Sequence, residues 1–389
     1  MSDETSLDFQ MNCPVPLSDH ATVQMAHGGG GRLMRNLIEE MFLPAFAKEQ
    51  TRAEQSKAEQ GRAGQGEIES ENAGQGRAAE TRKPPHDSFV LPVESDRLAF
   101  TTDTFVVSPM FFPGGDIGKL AVCGTVNDLA MSGARPAYLS TGFVLEEGLP
   151  LDILRRVVAS MRLAAEDAGV RIVTGDTKVV DRGKCDGMYI NTAGIGWVPR
   201  GIEIAPSRVA PGDVVLVSGD LGRHGMAIMS VREGLQFEGA LESDCASLAR
   251  LVDAMLAVGA EIHCLRDLTR GGLAASLNEI AMDVGVGVEI EETAVPVAGP
   301  VAAACEMLGL DPLYVANEGR LVAFVSPGAA DRVLEIMQQQ AAMLGDKTLG
   351  PAKIGVVTSE HAGMVEMRGR FGGGRIIDLL SGEQMPRIC

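Results

Sequence analysis

Basic residues are scarce in this chain: 34 lysines and arginines stand against 52 aspartates and glutamates in 389 residues, a formal net charge of −18. That balance excludes a nonspecific nucleic-acid binder, which needs a surplus of cations against phosphate. A small anionic ligand stays open where glycines, a local cation and a metal hold it. No apolar run is long enough to span a bilayer. The polar, acidic stretch Met1–Ser6 lacks the basic-then-apolar pattern of a signal peptide. The seven cysteines include no CxxC pair and are odd in number, which fits reduced thiols better than a disulfide framework. These absences predict a cytoplasmic protein with no membrane and no nucleic acid among its partners. What is present is ordinary for a globular chain, with 45% hydrophobic and 22% charged residues. The length predicts two domains.

A different scarcity marks residues 48–85, which carry almost no apolar side chain larger than alanine. Ala, Glu, Gln, Lys, Arg and Gly recur there in echoes such as Gly-Gln-Gly-Arg-Ala. Such a segment cannot bury enough surface to offset its ordering entropy, so it reads as a disordered or partly helical insertion. Residues 1–20, with Pro14 and Pro16, read as a loose leader.

The chain is organised around Phe100–Phe143. A β-rich run ends on Asp103, Pro113-Gly114-Gly115 punctuates, and Ile117–Met131 carries apolar residues at helical spacing. Gly124 costs about 1 kcal/mol of helix propensity but lets the helix lie close to a sheet. Asp128, beside Asn127, sits late on that helix, where the helix dipole disfavours a carboxylate. Further on, a helix over about 151–168 leads to a short strand, 171–173, running into Thr174-Gly175-Asp176-Thr177-Lys178. Two strand ends on Asp-Thr, with Asp128, predict three carboxylates at one sheet edge. Hard oxygen ligands in that number suit Mg²⁺ and, with it, nucleotide phosphates. Upstream, a strand over Ala21–Ala26, the run His27-Gly28-Gly29-Gly30-Gly31 and a helix marked by Leu33, Leu37, Ile38 and Met41 present backbone N–H groups to phosphate. It is not a Walker A loop, and a plain flexible loop explains four glycines equally well.

A second α/β unit begins near Gly212. Its strand Val214–Val217 enters the loop Ser218–Gly225, a helix is expected over Cys245–Val258, and Arg266–Leu273 forms a second loop into a helix. Asn317-Glu318-Gly319-Arg320 precedes the strand Leu321–Val325. The chain ends Pro386-Arg387-Ile388-Cys389 behind a glycine-rich stretch, which gives a terminal thiol reach.

Taken together, Ala26–Gly31, Thr102-Asp103-Thr104, Phe111–Met131, Thr174–Val180, Asp267–Leu273, Asn317–Arg320 and the terminal Pro386–Cys389 resemble the HypE family of hydrogenase maturation factors. That family lies within the AIR synthetase/selenophosphate synthetase superfamily, and the resemblance spans nearly the whole chain outside the leader and the insertion. It implies an α/β (α+β) fold of two PurM-like domains. An N-terminal ATP-binding domain over 21–199, with a dimerising sheet, would be followed by a C-terminal α/β domain over 208–368 and a flexible C-terminal tail over 369–389. It implies a homodimer and an ATP-dependent carbamoyl dehydratase. The family's carbamoyltransferase HypF loads the terminal thiol, here Cys389, and the cyanide formed from that group passes to iron on the HypC–HypD complex. By this resemblance Asp103, Asp128 and Asp176 would hold Mg²⁺. His27, Gly28, Gly29, Gly30, Gly31, Lys119, Asn127, Thr177, Asp267 and Arg270 would bind ATP and its phosphates. Glu318 or Lys178 would take the amide proton, with the other positioning substrate. A relative that phosphorylates a free small molecule, and an assembly platform without turnover, are the alternatives; neither needs the thiol of Cys389.

Overall fold

In the computed structural model the described residues are 21–28, 32–46, 97–234, 241–259, 261–343, 350–379, 385, 388 and 389. The leader, the insertion at 48–85 and Gly29, Gly30 and Gly31 lie outside them. The helix expected after the glycines begins as α1, Arg32–Leu37, and continues through a π-turn, Ile38–Phe42. The strand expected over Ala21–Ala26 is reduced to one bridge, Thr22 to Pro150, ahead of a 3₁₀ turn at Met25–Gly28.

The first unit is a four-stranded sheet. In spatial order it runs β1 (Leu98–Phe105), β6 (Met188–Trp197), β4 (Arg135–Glu146) and β5 (Arg171–Val180). Helices α2 (Ile117–Met131) and α3 (Leu151–Ala168) cover one face. A two-residue hairpin, β2 (Phe111–Phe112) with β3 (Gly115–Asp116), leads into α2. Asp116 caps that helix by accepting from the N–H groups of Gly118 and Lys119 at 2.8 and 3.1 Å. Gly124 fulfils its expected purpose, because a Cβ there would meet the Phe105 ring at 2.8 Å. β5 is longer than its apolar start at 171–173 suggests. It runs parallel beside the twelve-residue β4, and Gly175 allows the close approach, since a Cβ would lie 2.3 Å from the Thr141 carbonyl oxygen.

The second unit is a seven-stranded sheet in the order β13 (Gly374–Ile377), β12 (Val365–Arg368), β9 (Gly287–Glu291), β11 (Ala352–Thr358), β7 (Val214–Val217), β10 (Leu321–Val325) and β8 (Ile262–Asp267). Both faces are covered, so β7 and β10 are apolar and buried at every position. Val215, Val217 and Phe324 pack with α6 (Gly272–Val284). Val214, Leu216 and Ala323 pack with α5 (Ala249–Ala257), α8 (Ala330–Met343) and the end of α2. Helices α4 (Arg223–Arg232) and α7 (Gly299–Leu308) form a smaller cluster through Met226 and Val301.

Two expectations fail here. The helix forecast from Cys245 starts only at Ala249, because residues before it are drawn out to bond the first unit: Ser243 N–H donates to the Pro113 carbonyl at 2.8 Å. The flexible tail forecast from 369 contains strand β13, whose Ile377 is buried and whose backbone pairs with β12.

The segment 317–320 is held rigidly. Asp220, with no exposed surface, accepts from Arg223 and Arg320 at 2.7 and 2.8 Å. Asn317 accepts from Gly222 N–H at 2.7 Å and donates to the carbonyls of Leu268 and Val315. Removing the charge of Asp220 leaves two half-enclosed guanidinium groups without their partner. Asp220→Asn is therefore expected to cost about 3–5 kcal/mol in urea unfolding; a loss below about 1 kcal/mol would assign the pair to an ordinary surface bridge.

Candidate active site

Where the two units meet, acidic side chains from both converge. Asp103 on β1 pairs in register with Thr192, which lies buried under α2, so its side chain faces the helix-covered side of the sheet. Asp128 on α2 accepts from Thr101 Oγ1 at 2.9 Å. Asp267 ends β8, opposite Leu321. Glu318 is buried in the segment just before β10, and its Oε1 has no hydrogen-bond partner. Asp244, a residue the sequence reading passed over, fixes that segment by accepting from the N–H groups of Glu318 and Gly319 at 3.2 and 3.0 Å. Gly319 is required, since a Cβ would lie 2.0 Å from the Asp244 carbonyl oxygen.

The electrostatics show how close these groups are. Desolvation and then the charges of Asp128 and Asp103 push Asp267 up to about 7, against the favourable pull of Arg266. Burial raises Asp103, with Arg270 opposing. Burial also raises Asp128, partly offset by the Thr101 hydrogen bond, and Asp103 adds to the rise. Glu318 is pushed well above the carboxylate range, first by burial and then by Asp267, Asp244 and Asp103. The terminal Cys389 belongs to the same field. Burial and the neighbouring Glu318 push its thiol up to about 12, with Arg270 pulling the other way.

The tail reaches this place by specific contacts. Val106 N–H donates to a terminal oxygen of Cys389 at 3.2 Å, and Ile388 is buried with its carbonyl accepting from His224 Nε2 at 2.8 Å. An open cavity of about 650 Å³ adjoins the cluster, lined by Phe100, Thr101, Asp128, Arg266, Asp267 and Thr269 among others, a volume suited to a nucleotide.

The expected site residues fall into three groups. Asp103, Asp128, Asp267, Arg270, Glu318 and Cys389 come together at the cleft. Asp176 and Lys178 do not join them within one chain. The expectation that Asp103 and Asp176 end their strands fails for both, because β1 continues to Phe105 and β5 to Val180. Asp176 pairs with Gly142, Gly142 with Asn191 and Asn191 with Thr104, so Asp176 faces the opposite side of the sheet from Asp103. Two strands separate β5 from β1, a lateral gap of roughly 14 Å. Lys178 Nζ instead holds both oxygens of Asp176, at 2.7 and 2.8 Å, on that open face. The Lys178 hydrogen bond, more than any other contact, keeps Asp176 below the usual carboxylate range.

The third group is occupied otherwise. Asn127, expected at the nucleotide, has its amide committed to joining the units: it donates to the carbonyls of Ala246 and Glu318 at 3.1 and 3.3 Å and accepts from Leu248 N–H at 2.7 Å. Lys119 donates to the Gly114 carbonyl at 3.0 Å. Thr177 is buried, with its N–H bonded to Asp176. His27 is buried, its Nδ1 accepts from Gln24 N–H, and the turn holding His27 and Gly28 packs against β5 rather than β1.

Among the described residues, no group of three or more His, Cys, Asp or Glu side chains is arranged to hold a metal ion. The donor chemistry nevertheless suits a hard cation: the charge of Asp103 raises Asp128, and both raise Asp267, a repulsion a divalent ion would relieve. Asp267 makes this testable without a ligand. Below its ordinary value of 3.8 it is protonated folded or unfolded. As pH rises toward about 7 the unfolded chain ionises first, so native stability falls over that window. In cation-free buffer Asp267→Asn is expected to unfold at higher urea than the parent at about pH 8 and to match it at about pH 4. Equal midpoints at both would show that Asp267 is not held protonated.

The comparisons with known proteins agree with this architecture. Residues 85–198 match the family described as AIR synthase related protein, N-terminal domain, and residues 210–363 match AIR synthase related protein, C-terminal domain. The carbamoyl dehydratase HypE of Rhodobacter capsulatus is 50% identical over 367 residues, covering 94% of this chain and 98% of that protein. A crystal structure of the hydrogenase maturation protein HypE in complex with ATP superposes with a TM-score of 0.80 at 44% identity, covering 95% of this chain and all of that one. A HypE chain from a HypE–HypF complex gives a TM-score of 0.69 at 46% identity, covering 73% of this chain and 90% of that one. No described helix is long and apolar enough to cross a membrane. Two PurM-like halves and close relatives matched over nearly their whole length place this chain in the carbamoyl dehydratase HypE family, an enzyme family of hydrogenase maturation.

Proposed function

We propose that this chain is an ATP-dependent dehydratase whose substrate, a carbamoyl group, rides on its own C-terminal Cys389. The observation that carries this reading is the position of Cys389: the last residue of the chain lies within the field of Glu318, Arg270 and Asp103. The amide oxygen of an S-carbamoyl cysteine is a poor leaving group. Transfer of the γ-phosphoryl of ATP to that oxygen releases ADP. The C–O bond then breaks with phosphate leaving and the nitrogen giving up its protons, which leaves S–C≡N on Cys389. Arg270, beside Asp103, Asp128 and Cys389, supplies positive charge where phosphate builds up. Mg²⁺ held by Asp103 and Asp128, with Asp267, would neutralise phosphate charge. Glu318 takes the amide proton: its Oε1 is free of hydrogen bonds, and a carboxyl with a raised pKa is a stronger base once ionised. The product cyanide serves the iron of a [NiFe]-hydrogenase, delivered through HypC–HypD. HypF, found with a relative in the HypE–HypF complex, is the partner that loads the thiol. Loading takes place away from the cleft, since a docked thiol held at about 12 is a weak nucleophile.

Carbamoylated full-length protein should lose the mass of one water from Cys389 on addition of Mg·ATP. Cys389→Ser should bind ATP and show neither adduct, and Glu318→Gln should keep the carbamoyl adduct and dehydrate it at least about a hundredfold more slowly. A cyano adduct on another cysteine would overturn the carrier role.

The face of the first sheet that carries Asp176 and Lys178 also exposes Leu98 and Phe100, at 54% and 66%. A homodimer covering this face would bring Lys178 and Asp176 of one copy towards the cleft of the other. Mixing Lys178→Ala chains with Cys389→Ser chains is then expected to restore about a quarter of the parent's turnover, from the one intact site of each mixed dimer. No recovery with demonstrated subunit exchange would place Lys178 and Cys389 in the same site of one chain.

A further inference from the structure

Nothing in the chemistry above employs His224, yet it is completely buried and both its ring nitrogens are bonded. Its Nε2 lies 2.8 Å from the Ile388 carbonyl oxygen, which can only accept, so Nε2 carries the hydrogen. Burial holds the imidazole below its ordinary pKa and hence neutral, which leaves Nδ1 as an acceptor. The hydroxyl of Ser243, 2.8 Å away, therefore donates to Nδ1, and the same oxygen accepts from Cys245 N–H at 3.0 Å. The Phe112 ring closes the site edge-on, 5.3 Å between centroids. One tautomer is fixed and a single N–H is aimed at the backbone of the penultimate residue.

The first turn of α4, which carries His224, also seats the tail's side chains. Gly225 lies under Met385, and a Cβ there would come within 3.3 Å of the Met385 sulfur. Ile388 joins the core cluster that contains Phe112, Cys245 and Ile228. Across the cleft the first unit contributes Val106 N–H to the terminal carboxylate. The last two residues are thus read at two consecutive backbone positions, one from each unit. A slip of the tail by one residue would lose both contacts and move the thiol by roughly 3.3 Å along an extended chain, enough to carry it out of reach of Glu318.

We propose that His224 is a positioning residue that sets the register of the docked tail, so that the group on Cys389 faces Glu318. This rests on the reading of Cys389 as carrier, and the test separates the two. Full-length parent, His224→Ala, His224→Gln and Ser243→Ala are compared in three measurements. Alkylation of Cys389 by iodoacetamide without ATP reads docking alone. Conversion of a preloaded carbamoyl adduct, followed by intact mass after Mg·ATP, reads the chemistry. ATP titration reads the nucleotide site. In His224→Ala the alkylation rate should rise and the conversion rate fall, each about tenfold, as expected for one lost buried hydrogen bond. ATP affinity should be unchanged. His224→Gln, whose side-chain amide can donate to the Ile388 carbonyl, should recover most of both rates; Ser243→Ala, which removes the hydroxyl that donates to Nδ1 and accepts from Cys245 N–H, should fall between the parent and His224→Ala. Unchanged alkylation in His224→Ala overturns the proposal, as does an equal defect in His224→Gln or a loss of ATP binding in step with conversion. Were His224→Ala not to fold, Gln and Ser243→Ala still decide, since a structural role alone gives no graded protection of Cys389. Absence of conversion in the parent defeats the carrier reading, while the alkylation arm still judges the tail's seat.

Discussion

The architecture depends on one helix that is buried on almost every side. Ile117–Met131 packs its residues against the four-stranded sheet, against α3 and against the second unit, so scarcely a position along it faces water. Such a helix needs small residues where the sheet approaches, as at Gly124, and polar side chains only where a partner waits. Thr125 meets the Thr192 hydroxyl, and Asn127 satisfies three backbone groups of the second unit. Because one of those groups belongs to Glu318 itself, the helix that carries Asp128 also sets where the buried carboxyl stands. Helix packing and site geometry are the same constraint.

That constraint gathers negative charge without neutralising it. Asp103, Asp128, Asp267 and Glu318 come from four separate elements, and each is raised by burial and, for the last three, by an acidic neighbour. The second unit shows the alternative treatment of a buried acid: Asp220 is enclosed by two guanidinium groups and serves as a fixed strut. The difference between a neutralised Asp220 and a crowded cleft separates scaffold from site. Cations near the cleft, Arg266 and Arg270, pull against the rise without abolishing it, which leaves room for a ligand carrying its own cation.

Much of this was legible in the sequence. The helix Ile117–Met131 and its close approach at Gly124 followed from spacing and from a glycine whose propensity cost needed a reason. Asp128 stood out because a carboxylate late on a helix is unfavourable unless used. Buried strands of the second unit announced themselves by unbroken apolar runs such as Val214–Val217, but not the seven-stranded sheet they join. What could not be read was direction. Asp103-Thr104 and Asp176-Thr177 look alike in sequence, but register turns one carboxylate under the helices and the other onto the open face. Asn127 was expected at the nucleotide by the family resemblance alone; its partners, 119 to 191 residues away, are invisible to local pattern. His224 was masked by its setting: glycines on both sides made the start of α4 read as a loop, and its partners, Ser243 and Ile388, are set by the fold.

The proposed placing of the substrate on Cys389 changes what binding has to accomplish. A free small molecule would have to be held from dilute solution, whereas a tethered one visits the cleft at an effective concentration set by the linker. Among the described residues the tail is seated by the partly buried Met385, the buried Ile388 and two hydrogen bonds to its backbone oxygens. Against these stands the desolvation of the thiol beside Glu318. On the proposed reading the carried group is loaded outside, dehydrated inside and handed on, so a tighter seat would slow release as much as it improved docking. Register then has to come from geometry rather than from affinity. In the register role proposed for His224, two hydrogen bonds to consecutive residues, one from each unit, form together only when the units are held at the spacing that Asn127 and its helix impose.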